Sequence, residues 1–410
     1  MPSPVAKFLF LLLLVCGVAA SDIYAAQLTV TKVEDTNDGV CDADCSLREA
    51  VAAAASGDTI VFSSLFNTPQ TITLQNGQIT IDKNLTITGT GPTLVDISAN
   101  LVGRVFFLSP NLNVTISGMK LRDGRVGTPN PGDAYGGAIS IYGGGALDLS
   151  DMEFTNNQAL GNAPPFTFGE GSAVYCDGCT MTLASLNVHH NLGYGAAIQA
   201  DHAAVINISN SIISNNNAGV SSPNAVNIQN TTLTGNTLGG VGAEHLTIRD
   251  SDVIGNTGRG VVGGDAASTM DLENCTISQN TDEGVSNSGT ATITSTRISN
   301  NQSTASGAGI STGGTMYLVD AIISGNLAST NGGGITANGN LFLTNSTVSG
   351  NTAFGAMPTA GLGGGIYAQV DSASHGRLSL TNSTISNNQS KGGAEAFGRI
   401  LGRWQQFETR

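Results

Sequence analysis

The stretch Leu341-Phe342-Leu343-Thr344-Asn345-Ser346-Thr347-Val348-Ser349-Gly350-Asn351 decides how the whole chain is read. Leu341 and Leu343 are two residues apart, so in an extended strand both side chains leave the same face. Asn345 is the kind of residue that hydrogen-bonds the backbone at a bend. Val348 then sits on a second short strand, and Asn351 turns the chain again after Gly350, a residue that suits a left-handed backbone. The same eleven-residue frame recurs without a gap from Leu147, Met181, Ile206, Val226, Leu246, Met270, Ala291, Met316 and Leu378. Its closing residues are Asn157, Asn191, Asn216, Asn236, Asn256, Asn280, Asn301, Asn326, Asn351 and Asn388, mostly about 20 to 25 residues apart. A period of that length marks a solenoid.

Place five of the frame is Asp, Asn or Ser throughout: Asp151, Ser185, Asn210, Asn230, Asp250, Asn274, Ser295, Asp320, Asn345 and Asn382. Ahead of each block a lead-in strand enters through small residues, as in Gly136-Gly137-Ala138-Ile139 and Gly332-Gly333-Gly334-Ile335. Stacked in parallel at about 4.8 Å, such coils would bring each Asn side chain within reach of its counterpart one coil away, as Asn ladders do. One coil cannot bury its own interior, so the stack folds together. The expectation is an all-β, right-handed, single-stranded parallel β-helix with three strands per coil and about a dozen coils. No coil carries a helix-length 3.6-residue pattern, which sets aside a leucine-rich or helical repeat.

Weaker coils begin earlier. Val114, Ile116 and Leu121 keep the apolar spacing while Gly124 takes the Asn position, and strand-like runs at 28–31, 59–62, 71–74 and 79–87 build the first coils. An open solenoid end exposes unpaired strand edges and needs a cover. Ser46 and Glu49 have capping-box spacing, Gly57 can end the helix, and Leu47, Val51 and Ala54 would lie over the first coil. At the other end Lys391, Arg399, Arg403 and Arg410 make a basic tail, with Phe397, Ile400, Leu401 and Trp404 on one helical face. A closing helix and the truncated end of a longer gene both fit it.

Residues 1–26 read as an export signal, with Lys7 before an apolar run at 8–15 and cleavage after Ala20 or Ala26. The organisation expected is signal 1–26, cap and first coils 27–135, regular coils 136–390 and tail 391–410. The run is too short to span a bilayer, and no later stretch is long and apolar enough for a membrane helix. The formal charge is -14, with 16 Lys and Arg, which argues against nucleic acid as a partner.

The segment from Asp35-Thr36-Asn37-Asp38-Gly39 through Cys41 to Cys45-Ser46-Leu47-Arg48-Glu49-Ala50 resembles the CSLREA domain, whose name is that final string. The coils are similar to polymorphic outer-membrane protein repeats. The paired GGA(I/L/V) and FxxN signatures of those repeats stand at Gly136-Gly137-Ala138-Ile139 and at Phe154 with Asn157; later units put Ile, Val or Leu in place of the Phe. The resemblance implies a bacterial surface or secreted β-helix, often without an assigned activity, and carries no catalytic residues.

Five Cys remain after export, in an oxidising setting. Cys41 with Cys45, and Cys176 with Cys179, are close enough for local disulfides; a zinc site is the alternative, though no nearby His completes either set. Cys275 falls at place six as a small, partly buried thiol. Asp35, Asn37, Asp38, Asp42 and Asp44 crowd oxygen ligands around Gly39, which suits calcium; a solvated acidic turn is the other reading. Arg249 and Glu273 share place four, and Arg259 and Glu283 both precede a lead-in apolar residue by two, so each is a cross-coil ion pair or part of a saccharide site. Asn280-Thr281-Asp282 matches one polygalacturonase string, but Asn280 is simply the turn Asn of the repeat. His189, His190, His202, His245 and His375 show no metal-ligand spacing and read as surface or turn residues. The largest insertions are 158–171, 352–362 and 368–377, and Phe166 and Phe168 in the first could stack on sugar rings or pack the loop.

With no convergent acid–base set in view, the leading expectation is a secreted or cell-surface β-helix that binds glycans or neighbouring surface material without catalysis. A polysaccharide lyase or hydrolase is the alternative, and a structural stalk or passenger fragment the third.

Overall fold

The computed structural model describes residues 25–127, 134–161, 169–355, 361–368 and 376–391. The signal up to residue 24, the tail beyond residue 391 and half of the first insertion, 162–168, lie outside them. The described chain is a parallel β-helix, and each coil lays one strand on each of three faces. The first face carries the row Val114, Leu147, Met181, Ile206, Val226, Leu246, Met270, Ala291, Met316, Leu341 and Leu378 in direct register. The second carries Leu121, Phe154, Val188, Ile213, Leu233, Val253, Ile277, Ile298, Ile323, Val348 and Ile385. The third is the lead-in face, running from Ile79 and Phe106 through Ile139, Val174 and Ile198 to Ile335 and Ile366. The places read from the repeat are therefore the pairing register. Short extra strands such as Gln158–Leu160 and Leu327–Ala328 add a small fourth ladder in some coils.

The three apolar rows point inward and fill one continuous interior. Leu147, Phe154, Met316, Ile323, Ile335 and Leu341 have no solvent exposure, and each such side chain contributes about 1.5–3 kcal/mol. Place five does its work through the backbone. All ten residues there have φ between 47° and 56°, a left-handed bend that Asn and Asp tolerate best. Place ten bends the same way, with Asn156, Asn215 and Asn300 beside Gly235, Gly325 and Gly350.

The closing Asn residues form a buried ladder. Asn301 Nδ2 donates to Asn326 Oδ1 at 3.0 Å, and Asn280 Nδ2 to Asn301 Oδ1 at 2.9 Å. Each Oδ1 also accepts the backbone N–H one coil back, as Asn326 Oδ1 does from Asn301 at 2.9 Å. The ladder explains the small residue before each lead-in apolar residue, since a Cβ on Gly309 would stand 2.9 Å from Asn326 Nδ2 and 2.5 Å from the Gly334 carbonyl.

The cap helix α1 spans Leu47–Ala53 with both capping-box bonds made. Ser46 Oγ accepts from the Glu49 N–H at 3.1 Å, and Glu49 Oε2 accepts from the Ser46 N–H at 2.7 Å. Leu47, Val51 and Ala54 are buried over the first coil. Two details differ from the sequence reading. The helix ends at an extended Ala54 rather than at Gly57, whose positive φ serves the following turn. The run 79–87 divides into Ile79–Ile81 and Leu85–Thr88, because Asp82-Lys83-Asn84 turns a corner between two faces.

Candidate functional site

Alternation on the lead-in strands sends every second residue outward, and four neighbouring coils put unusual residues there. Phe107, Ser140, Tyr175 and Gln199 occupy one outward row. Two residues further along each strand, Tyr142, Asp177 and Asp201 make a second row; Asp177 and Asp201 are direct partners. In later coils the first row becomes Ser221, Gly242, Val262, Ser286 and Ser311. Further along, the rows hold only a single acid, Glu244, and a single aromatic residue, Tyr367, among the described residues, so aromatic and acidic side chains cluster together in this patch.

Tyr175 is the hub. Its ring lies 4.6 Å from that of Tyr135 and 5.5 Å from that of Tyr142, with Phe107 6.1 Å beyond Tyr142. Its hydroxyl donates to Asp201 Oδ2 at 2.9 Å, while Gln199 Nε2 donates to Asp201 Oδ1 at 3.1 Å. Burial, then the bond to Asp201, raises the Tyr175 phenol well above its ordinary value, so it stays protonated as a donor. Glu170, bridged through its backbone to Tyr135, reaches the same Asp201. Burial first, and then the charge and hydrogen bond of Asp201, push Glu170 up to about 7. A charge of the same sign beside it makes the Glu170 carboxyl harder to ionise.

Local packing fixes these groups. A Cβ on Gly195 would come within 2.9 Å of Glu170 Cγ, so glycine there lets the Glu170 stem lie against the next coil. Tyr194, bonded through its N–H to the Gly169 carbonyl at 2.9 Å, is 63% exposed beside it. On the other flank His202 Nδ1 bonds Asp177 Oδ1. Arg104 is buried beneath the patch, donating to the carbonyls of Tyr135 and Gly136 and lying over the Phe107 ring.

The residues singled out from the sequence fall elsewhere. Arg249 pairs with Glu273 and, at 2.6 Å, with Asp271 on the outer side of the first face. Arg259 holds Glu283 at 2.7 Å at the start of a lead-in strand. Burial raises Glu283, with Asp282 adding to the rise and Arg259 opposing it. The two pairs occupy different faces and do not converge. Both disulfides are formed, Cys41 to Cys45 and Cys176 to Cys179, and Cys275 is a buried thiol that burial pushes up to about 11.

The acidic turn is engaged in holding the cap. Asp35 is buried against Arg48 at 2.8 Å and accepts the Gln75 and Asn76 N–H groups, while Asn37, Asp38 and Asp42 each accept an N–H two residues on. Asp44 pairs with Lys32 at 3.3 Å. Among the described residues, no group of three His, Cys, Asp or Glu is placed to hold a metal. His189 and His190 bond each other at 2.8 Å, and His245 bonds Thr269 at 3.0 Å. Phe166, Phe168 and His375 lie outside the described residues.

Sequence reasoning passed over Glu170, Tyr175, Asp177 and Asp201. The signal was there: carrying the frame into the lead-in strands would have stacked Tyr142, Asp177 and Asp201 at one outward place.

A right-handed β-helix region family matches residues 137–303, under half of the chain. None of the curated proteins compared matches it. Among solved structures, XylC in complex with xylose is similar at 8% identity and a TM-score of 0.50, over 89% of this chain and 84% of that one. The catalytic unit of a thermostable GH87 α-1,3-glucanase from Streptomyces thermodiastaticus is similar at 14% identity and a TM-score of 0.50, over 90% and 70%. The A-module of the Azotobacter vinelandii mannuronan C-5 epimerase AlgE4 gives 14% and 0.49, over 90% and 98%. No helix of the described residues is long and apolar enough to cross a membrane. The described chain is thus a right-handed parallel β-helix, sharing that fold with proteins named for carbohydrates.

Proposed function

We propose that the chain is exported and acts on a polysaccharide by acid–base chemistry on the outer side of the lead-in face, with Glu170 as the acid. The observation that carries this reading is the Glu170 carboxyl, pushed up to about 7 beside Asp201 and within a tyrosine-lined patch. A carboxyl that keeps its proton near neutral pH can give it to a departing glycosidic oxygen. Asp201, held by Tyr175 and Gln199, supplies the fixed negative partner that favours that proton. Tyr194 offers an exposed aromatic surface at the edge, with an apolar body and a polar tip. This favours the lyase or hydrolase alternative over glycan binding alone, and the carbohydrate-acting proteins that share the fold are consistent with it.

The test is incubation of the purified chain with a panel of neutral and acidic polysaccharides, scoring new reducing ends and ultraviolet-absorbing unsaturated ends. Turnover by the native chain that falls about 10²- to 10⁴-fold in E170Q, with glycan retention unchanged, supports the reading. Retention on a glycan array without turnover of any substrate would leave a binding protein and overturn it. Recovery of the native chain in the medium or surface fraction checks export.

A further inference from the structure

His202 stands where the coil before it has glycine. Asp177 and Asp201 are partners on adjacent strands, so the residue after each occupies the same corner; that residue is Gly178 with φ 71° in one coil and His202 with φ 53° in the next. A left-handed backbone costs a histidine energy that glycine avoids, and the side chain placed there is 77% exposed. Its Nδ1 is bonded to Asp177 Oδ1, and Asp177 is itself 27% exposed. A carboxylate on Nδ1 fixes that nitrogen as the N–H and leaves Nε2 as the acceptor. One residue back along the chain, Asp201 carries the link to Glu170. The acid and the proton acceptor are therefore held by two aspartates, Asp201 and Asp177, that are partners on adjacent strands.

A second observation concerns the floor of this patch. Ser140 lies in the outward row between Phe107 and Tyr175, is fully buried, and its hydroxyl has no hydrogen-bond partner among the described residues; Ser172 nearby is the same. The groups also all belong to one side of a sheet. A sugar resting on that side meets Glu170 and His202 from the same side of its ring. Inverting hydrolysis needs the water and the acid on opposite sides of the sugar, and epimerisation needs a proton returned from the opposite side. Removal and delivery of protons on one side suit a syn elimination.

We propose that His202, positioned by Asp177, is the base of a syn β-elimination on a uronan whose carboxyl groups are esterified; this rests on the polysaccharide-acting reading above. His202 Nε2 takes the proton from C5, the C5–H electron pair becomes the C4–C5 double bond, and the C4–O bond breaks. The leaving oxygen takes the Glu170 proton, which gives one unsaturated end and one hydroxyl end without consuming water. The proton on His202 then returns to Glu170 through solvent. Esterification follows from the charges: the carboxylates Asp177 and Asp201 repel a free uronate, and the cation of these strands, Arg104, is buried against backbone carbonyls. A neutral ester also makes the C5 proton easier to remove than a carboxylate does.

The experiment compares native, H202N, H202G and E170Q chains on methyl-esterified and de-esterified polyuronate. Each variant is first checked for a native circular dichroism spectrum and melt. The expected result is ultraviolet-absorbing ends from the ester only, slower turnover when C5 carries deuterium, and a loss of about 100-fold or more in kcat for H202N with KM little changed. Added imidazole should restore part of the H202G rate, which a merely structural histidine would not allow. D177N should lower kcat less than H202N, with D177E recovering part of it. Saturated products, or undiminished turnover in H202N, would overturn this inference while an E170Q loss kept the polysaccharide-acting reading. Absence of turnover on every glycan of the panel sinks both.

Discussion

Replacing Asn301 with Ala tests the ladder where it is deepest. Asn301 has no solvent exposure, and its Oδ1 accepts from the Asn280 N–H at 3.0 Å and from Asn280 Nδ2 at 2.9 Å. Its Nδ2 donates to Asn326 Oδ1 and, at 3.1 Å, to the Ile277 carbonyl. Some of these partners keep a second bond: Asn326 Oδ1 retains the Asn301 N–H, and Asn280 Nδ2 retains the Val253 carbonyl at 3.1 Å. The Asn280 N–H keeps nothing. An orphaned buried donor costs about 1–3 kcal/mol and each further lost bond about 0.5–1.5 kcal/mol, so N301A should lose about 4 kcal/mol. The control is N227A, which removes an exposed cross-coil bond from Asn227 Nδ2 to Asn207 Oδ1 at 2.9 Å and should cost no more than about 0.5 kcal/mol. Urea unfolding followed by circular dichroism reads both, with N301A dropping the midpoint by roughly 1 M. Hydrogen exchange should rise first in the coils holding Asn280 and Asn326, because contacts in a solenoid are with nearest neighbours. An N301A midpoint equal to that of N227A, at unchanged slope, would show that the ladder does not hold the turns.

Glu49 is buried, which works to raise its pKa, but bonds from the Ser46 and Asp38 N–H groups, Thr36 and Lys32 outweigh that and hold it at about 2. Its contribution is therefore complete above its unfolded value of about 4.5 and lost as pH falls towards 2; E49Q should cost about 1–3 kcal/mol at pH 7 and flatten the acid limb of a stability–pH curve. Glu170 has the opposite sign. Raised to about 7, it keeps a proton that the unfolded chain releases from about pH 4.5 upward, so stability should fall by about 1–2 kcal/mol between pH 4.5 and 7 after allowance for solvent screening. Thermal melts across that range should show a shallower decline in E170Q. G309A places a methyl group against the Gly334 carbonyl and the Asn326 amide and should lower stability by about 1–3 kcal/mol, read by the same urea titration.

The architecture was legible because burial imposes it on every coil. Leu341, Leu343 and Val348 recur as a spacing because each interior slot must be aliphatic, and Asn351 recurs because each turn must satisfy the same buried N–H. The capping box at Ser46 and Glu49 was legible for a local reason, since both of its bonds lie within four residues. The candidate site was harder to see because it breaks the repeat rather than following it. Glu170, Asp177 and Asp201 come from two coils whose spacing is stretched by an insertion, and only the register of the lead-in strands brings them together. Arg249 and Glu273 attracted attention because they obey the repeat, and obeying it makes them an ion pair along a face. Place five was read through its side chains, whereas its left-handed backbone is what selects Asn and Asp.

The Asn ladder also gives the column an electrical direction. In each of its nine side-chain bonds the amide nitrogen faces the following coil and the oxygen the preceding one. Dipoles aligned head to tail add, and each polarises the next. The end at Asn157 is left partially negative, where the Gly124 N–H meets it at 2.9 Å, and the end at Asn388 partially positive. Two such columns set end to end would attract in one sense and repel in the other.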